Sequence, residues 1–76
     1  WDEYGNRYIV GTVKNNRNRK YSYAQITFTL YDESGAQVGT ALDNINNLEA
    51  GGVWRFKAVV LEDNASKYKL SELSGW

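Results

Sequence analysis

Tyr21-Ser22-Tyr23-Ala24-Gln25-Ile26-Thr27-Phe28-Thr29-Leu30-Tyr31-Asp32 decides how this chain folds. Its period is two. Ala24, Ile26, Phe28 and Leu30 fall on one face, with Tyr21, Tyr23, Gln25, Thr27, Thr29 and Tyr31 on the other. That is the alternation of a half-buried strand, not the 3.6-residue recurrence of a helix. The aromatic and β-branched content suits a pleated surface. A central strand over residues 21–32 is the expectation.

Other strands flank it. Residues 7–15 (Arg-Tyr-Ile-Val-Gly-Thr-Val-Lys-Asn) read as the preceding strand, joined through the polar loop Asn16-Arg17-Asn18-Arg19-Lys20. Asp32-Glu33-Ser34-Gly35 sets Asp at the first and Gly at the fourth position of a type I turn, predicting a bulged hairpin with Gly35 left-handed. Residues 37–43 return, with Val38, Thr40 and Leu42 on one face. Residues 44–52 then form a connection in which Ile45 and Leu48 plug the core. Residues 53–60 alternate again, Trp54, Phe56, Ala58 and Val60 inward. Residues 61–66 break the pattern. Residues 67–73 read as a last strand burying Tyr68 and Leu70, although Leu61, Ala65, Tyr68 and Glu72 also permit a short helix over residues 62–73. Five or six strands at such turn spacing indicate an all-β chain, a single small antiparallel sandwich or barrel. The expected core is Ile9, Val13, Ala24, Ile26, Phe28, Leu30, Leu42, Leu48, Trp54, Phe56, Val60 and Leu70.

Composition limits the chemistry. The chain has 76 residues and neither cysteine nor histidine. Disulfides, the usual zinc ligand sets and histidine-based nucleophilic machinery are therefore excluded. No run approaches the roughly 20 apolar residues of a membrane-spanning helix. Stability has to come from packing, in which three Trp, six Tyr and two Phe take part. Pro and Met are absent as well, a joint gap that also fits an engineered version of a natural domain, made as a stable scaffold or binder. Net charge is zero, divided as +3 over residues 1–31 and −3 over residues 32–76. Zero net charge argues against binding that rests on phosphate neutralisation, and no recognition helix or zinc module accompanies the basic loop. Sequence-specific nucleic-acid reading is not expected.

Phe28-Thr29-Leu30-Tyr31-Asp32 resembles the signature of the FxLYD domain family. Gly11-Thr12-Val13-Lys14-Asn15 is similar to that family's first-strand pattern of Gly, Val and Asn at alternate positions. Asp32-Glu33-Ser34-Gly35 matches its hairpin turn, Asn47-Leu48 with Gly51 its next connection, and Phe56 an inward Phe of the following strand. Ala50 departs from the pattern, standing where the family often has Pro before Gly. The resemblance spans about residues 8–70. It implies an immunoglobulin-like β-sandwich and an accessory role in secreted or cell-envelope proteins of bacteria or archaea, hence an extracellular or envelope location.

Two groups of residues are candidate binding surfaces. Tyr21, Tyr23 and Tyr31, interleaved with Thr27 and Thr29, would form an aromatic ledge able to stack on sugar rings or anchor a protein. Their purely structural role would be cross-strand pairing with Arg55 or Lys57. Arg17, Arg19 and Lys20 give the loop before Tyr21 a basic character suited to phosphates, a membrane surface or wall polymers, or simply to solvent. The acidic loops Asp43-Asn44-Ile45-Asn46-Asn47 and Glu62-Asp63-Asn64 lack calcium-loop spacing, and Asn64-Ala65-Ser66 is a formal glycosylation sequon. None of the nine acids sits amid enough apolar sequence to suggest a raised pKa. No catalytic, cofactor or metal site is expected. The sequence points to a monomeric, non-catalytic structural or protein-interaction module, with weak carbohydrate or wall-polymer binding through the tyrosines as the alternative.

Overall fold

The computed structural model describes residues 2–3 and 6–76, and it is all-β. Six strands run in chain order: β1 (Asp2–Glu3), β2 (Asn6–Lys14), β3 (Tyr21–Tyr31), β4 (Gln37–Leu48), β5 (Val53–Val60) and β6 (Lys67–Gly75). They form two antiparallel three-stranded sheets, ordered β1-β2-β5 and β4-β3-β6. The sheets pack face to face as a small β-sandwich.

The alternation read from residues 21–32 places β3 at the centre of its sheet. Ala24, Ile26, Phe28 and Leu30 are all buried, Leu30 completely. From the facing sheet come Ile9, Trp54, Phe56, Ala58 and Val60. Phe28 meets Phe56 with ring centroids 5.6 Å apart, and Trp54 meets Phe56 edge-on at 6.1 Å. Offset and edge-on rings let the negative face of one approach the positive edge of another. The two layers are thus joined by an aromatic stack.

The β3–β4 hairpin forms as its turn residues demand. Gly35 has φ +89°, a conformation that costs residues with a Cβ but not glycine. The Asp32 carboxylate accepts from Ser34 N (2.9 Å), Ala36 N (3.0 Å) and Ser34 Oγ (2.6 Å). Those bonds, the Ser34 hydroxyl first, hold its pKa below the usual carboxylate value.

β4 departs from the expected strand in length and in register. The strand continues to Leu48 instead of ending near residue 43. Leu42 lies opposite Thr27 on the outward face and is 47% exposed; Ala41, opposite Phe28, takes the core position. The cause is a register shift at Leu30/Tyr31, where Leu30 pairs with Gly39 but Tyr31 with Gln37. One extra residue, Val38, inverts every later side chain relative to simple counting from the turn. Leu48 still reaches the core because Asn47 adopts φ +60°, turning the chain before it. Ile45 is half-buried against the core from within the strand.

Asp43, opposite Ile26 on the inward row, accepts the Lys57 backbone N–H at 2.8 Å. This bond ties β4 to β5 and closes one side of the sandwich. The other side differs. Among the described residues β6 hydrogen-bonds to β3 alone, and β2 takes only the two residues of β1 on its outer edge. Among the described residues the seam between β2 and β6 is open. Residues 67–75 do form a strand, but Tyr68 and Leu70 are each 51% exposed, so the expectation that they are buried fails. Val13 is partly buried beside the core. Ala65 fills the core end instead, held by the Arg7 guanidinium, which donates to the carbonyl oxygens of Glu62 and Ala65.

Candidate functional site

The three tyrosines do not form one ledge. Tyr23 and Tyr31 are eight residues apart on an extended strand, about 26 Å at the usual rise. Tyr23 stays on the outward face, where its hydroxyl donates to Gln25 Oε1 at 2.6 Å and its ring meets that of Trp76 at 5.1 Å. Tyr31 lies at the far end of β3, opposite Gln37 and Lys67. Tyr21 packs against the core at the near end. There its ring covers Gly75, on which a Cβ would stand 3.0 Å from Tyr21 Cδ1. Lys57 does not pair with any of the three; it lies in the other sheet, with Nζ 4.1 Å from the centroid of Tyr8.

Tyr21, Arg17 and Arg19 do come together. The Arg19 guanidinium sits 5.6 Å from the Tyr21 ring centroid, a cation–π distance. Arg17 and Tyr21 line a cleft of about 280 Å³ at the basic end of the open seam, with Val13, Ala24, Leu48 and Leu73 as its apolar lining. Lys20 is exposed on the same loop.

Asn15 builds this end of the molecule. It is 2% exposed, and its amide Nδ2 donates to the carbonyl oxygens of Arg19 (2.8 Å), Leu48 (3.2 Å) and Glu49 (3.1 Å). Its Oδ1 accepts Arg17 N at 3.0 Å. Backbone bonds from Asn15 N to Gly52 O and from Gly51 N to Asn15 O complete the knot. One side chain thus links the β2–β3 loop to the β4–β5 connection and fixes Arg17 and Arg19 beside the cleft. Sequence reasoning knew Asn15 only as part of a pattern.

The second feature is β6 itself. Tyr68, Leu70, Leu73 and Gly75 pair with Leu30, Phe28, Ile26 and Ala24, so their side chains belong to the inward row. Tyr68 touches Phe28 edge-on at 5.7 Å. Among the described residues no strand of the facing sheet covers the two leucines, Leu70 being 51% and Leu73 49% exposed. On the outward row Lys67, Lys69, Glu72 and Ser74 face Tyr31, Thr29, Thr27 and Gln25. Among the described residues this sheet edge has no neighbour, and it carries apolar residues on one side and charges on the other. The signal available in the sequence was Lys-Tyr-Lys-Leu-Ser-Glu-Leu, in which each apolar residue has a charged neighbour, as on an edge strand.

Charge separates along the long axis. Lys14, Arg17, Arg19 and Lys20 gather at the cleft end, while Asp32, Glu33 and Asp63 surround the hollow at the other end. Among the described residues no group of three acidic side chains is placed to hold a metal ion. Comparison with protein-family models, curated proteins and solved structures finds no match to this chain.

Proposed function

We propose that the domain is a non-catalytic protein-interaction module that takes an extended segment of a partner as an added strand along β6. The observation that carries this is the half-exposed inward pair Leu70 and Leu73 on a strand that, among the described residues, is paired on one side alone. An incoming strand gains main-chain hydrogen bonds from the edge, and its alternate side chains cover the leucines. The resemblance of residues 28–32 to FxLYD domains supports an accessory role in a secreted or cell-envelope protein.

A displayed library of extended peptides tests the reading. Enriched binders should carry alternating apolar residues, shift the backbone amides of β6, and lose affinity when Leu70 and Leu73 are changed to Lys. If no peptide is enriched, or the shifts map to another strand, the reading is wrong. The Tyr23–Trp76 pair, with Trp76 64% exposed, favours one second reading, stacking on a sugar ring. Oligosaccharide titration that shifts neither Trp76 nor Tyr23 removes it.

A further inference from the structure

We infer that the strand received by β6 is β6 of a second copy of this chain, running antiparallel to it. The inference rests on the interaction reading above and names its partner. The two β4-β3-β6 sheets then join into one sheet of six strands about a two-fold axis, the symmetry of most homodimers.

Register favours this pairing. β3–β6 pairing shifts between Thr27 and Phe28, with Glu72 opposite the former and Leu70 opposite the latter, so Ser71 is an extra residue. That bulge places Leu70 and Leu73, three apart in sequence, on the same inward face. In an antiparallel pairing that matches inward with inward rows, Leu70 of one copy stands opposite Leu73 of the other, twice over. Tyr68 meets Gly75 and Lys69 meets Ser74 in the same register. The exposed apolar row becomes its own cover. Bulges often serve to blunt an edge; here the symmetric register sets the bulged residue beside Glu72 of the second copy, so neither leucine row is displaced.

Charge favours the same arrangement. β6 has Lys67 and Lys69 in its first half and Glu72 in its second. Antiparallel pairing sets Glu72 diagonally from Lys69 of the second copy on the outward face, within reach of long side chains. A parallel pairing would stack lysine on lysine. The same orientation lays the basic end of one sandwich, with Lys14, Arg17, Arg19 and Lys20, alongside the acidic end of the other, with Asp32, Glu33 and Asp63. Strand edge, leucine row and end charges all select one arrangement. The contact is small, so association is expected at micromolar concentration or weaker.

Sedimentation equilibrium on the full chain, from about 10 μM to about 1 mM, tests it. A dimer is expected at low salt, weakening several-fold at 1 M salt, where the Debye length falls to about 3 Å. Leu70→Lys with Leu73→Lys should be monomeric. Lys69→Glu and Glu72→Lys should each weaken the dimer, and the two together should restore it. On the unmodified chain, a mixed labelled and unlabelled sample should show an intermolecular contact between Leu70 and Leu73, so the inference does not depend on any variant folding. A monomer at about 1 mM, or a dimer lacking that contact, overturns it. Peptides that still add to β6 of a monomeric chain would leave the interaction reading standing; if they also fail, both fall.

Discussion

Replacing Asn15 gives the sharpest test of how the cleft end is built. Asn15→Ala removes the donor to three carbonyl oxygens and the acceptor for Arg17 N. A net hydrogen bond is worth about 1 kcal/mol, and a buried group left without a partner costs about 1–3 kcal/mol. The carbonyl of Leu48 is the buried one of the set, while the others partly regain water. The expected loss is about 3 kcal/mol, against a total stability of roughly 4–11 kcal/mol for a chain of this size. Urea unfolding followed by tryptophan fluorescence should show a midpoint about 3 M lower, taking a slope of about 1 kcal/mol/M. Exposed Asn16, changed to Ala, should stay within about 0.5 kcal/mol. Asn15→Asp is the more exacting variant, because it keeps the shape and the acceptor but turns a donor toward carbonyl oxygens into a carboxylate. Burial and those oxygens would raise the new group's pKa above its unfolded value of about 3.9. Its deficit should therefore be greatest above the raised pKa and shrink as pH falls toward the unfolded one. An Asn15→Ala midpoint equal to the parent's, or an Asn15→Asp deficit unchanged between about pH 7 and pH 3, would refute the reasoning.

Three further outcomes are expected. Gly35→Val should destabilise by about 1–3 kcal/mol through backbone strain alone, since nothing lies within 4 Å of a Cβ placed there; Gly35→Asn, which tolerates positive φ, should lose much less, and equal losses in thermal melts would argue against a conformational cause. Phe28→Ala should cost about 3–5 kcal/mol, whereas Leu42→Ala, on the outward face, should cost under about 1 kcal/mol in the same urea titration; a reversed order would mean the β4 register is wrong. Asp32 has its pKa lowered by the Ser34 hydroxyl and then by the Ala36 and other turn amides. Its ionised form thus stabilises the fold above the ordinary carboxylate range, and that contribution fades as pH falls through the depressed value, below about pH 4. The urea midpoints of the parent and Asp32→Ala should converge in that range, and a constant gap would exclude the linkage.

The alternation in residues 21–31, the Asp32–Gly35 turn and the inward row Trp54, Phe56, Ala58 and Val60 were legible because each is a local matter. Strand pleat and turn geometry depend on residues a few positions apart, and the residue types write them directly. The same residues named the all-β class and most of the core. Leu42 and Leu70 were misplaced for reasons that no local pattern carries. Leu42 changes sides because one extra residue enters β4 opposite Leu30 and Tyr31, and register is a property of two strands together. Leu70 does lie on the inward row, as its spacing says, but whether that row is covered depends on which strand of the other sheet lies opposite. The tyrosines show the same division: their shared strand was readable, while Tyr21 packing over Gly75 and Tyr23 meeting Trp76 required β6 to lie alongside β3. The sequence by itself determined strands, faces and turns. Only the tertiary structure decided that, among the described residues, the seam between β2 and β6 stays open, because closure depends on the order of strands in space, and pairing across long loops is set by the packing of the whole chain.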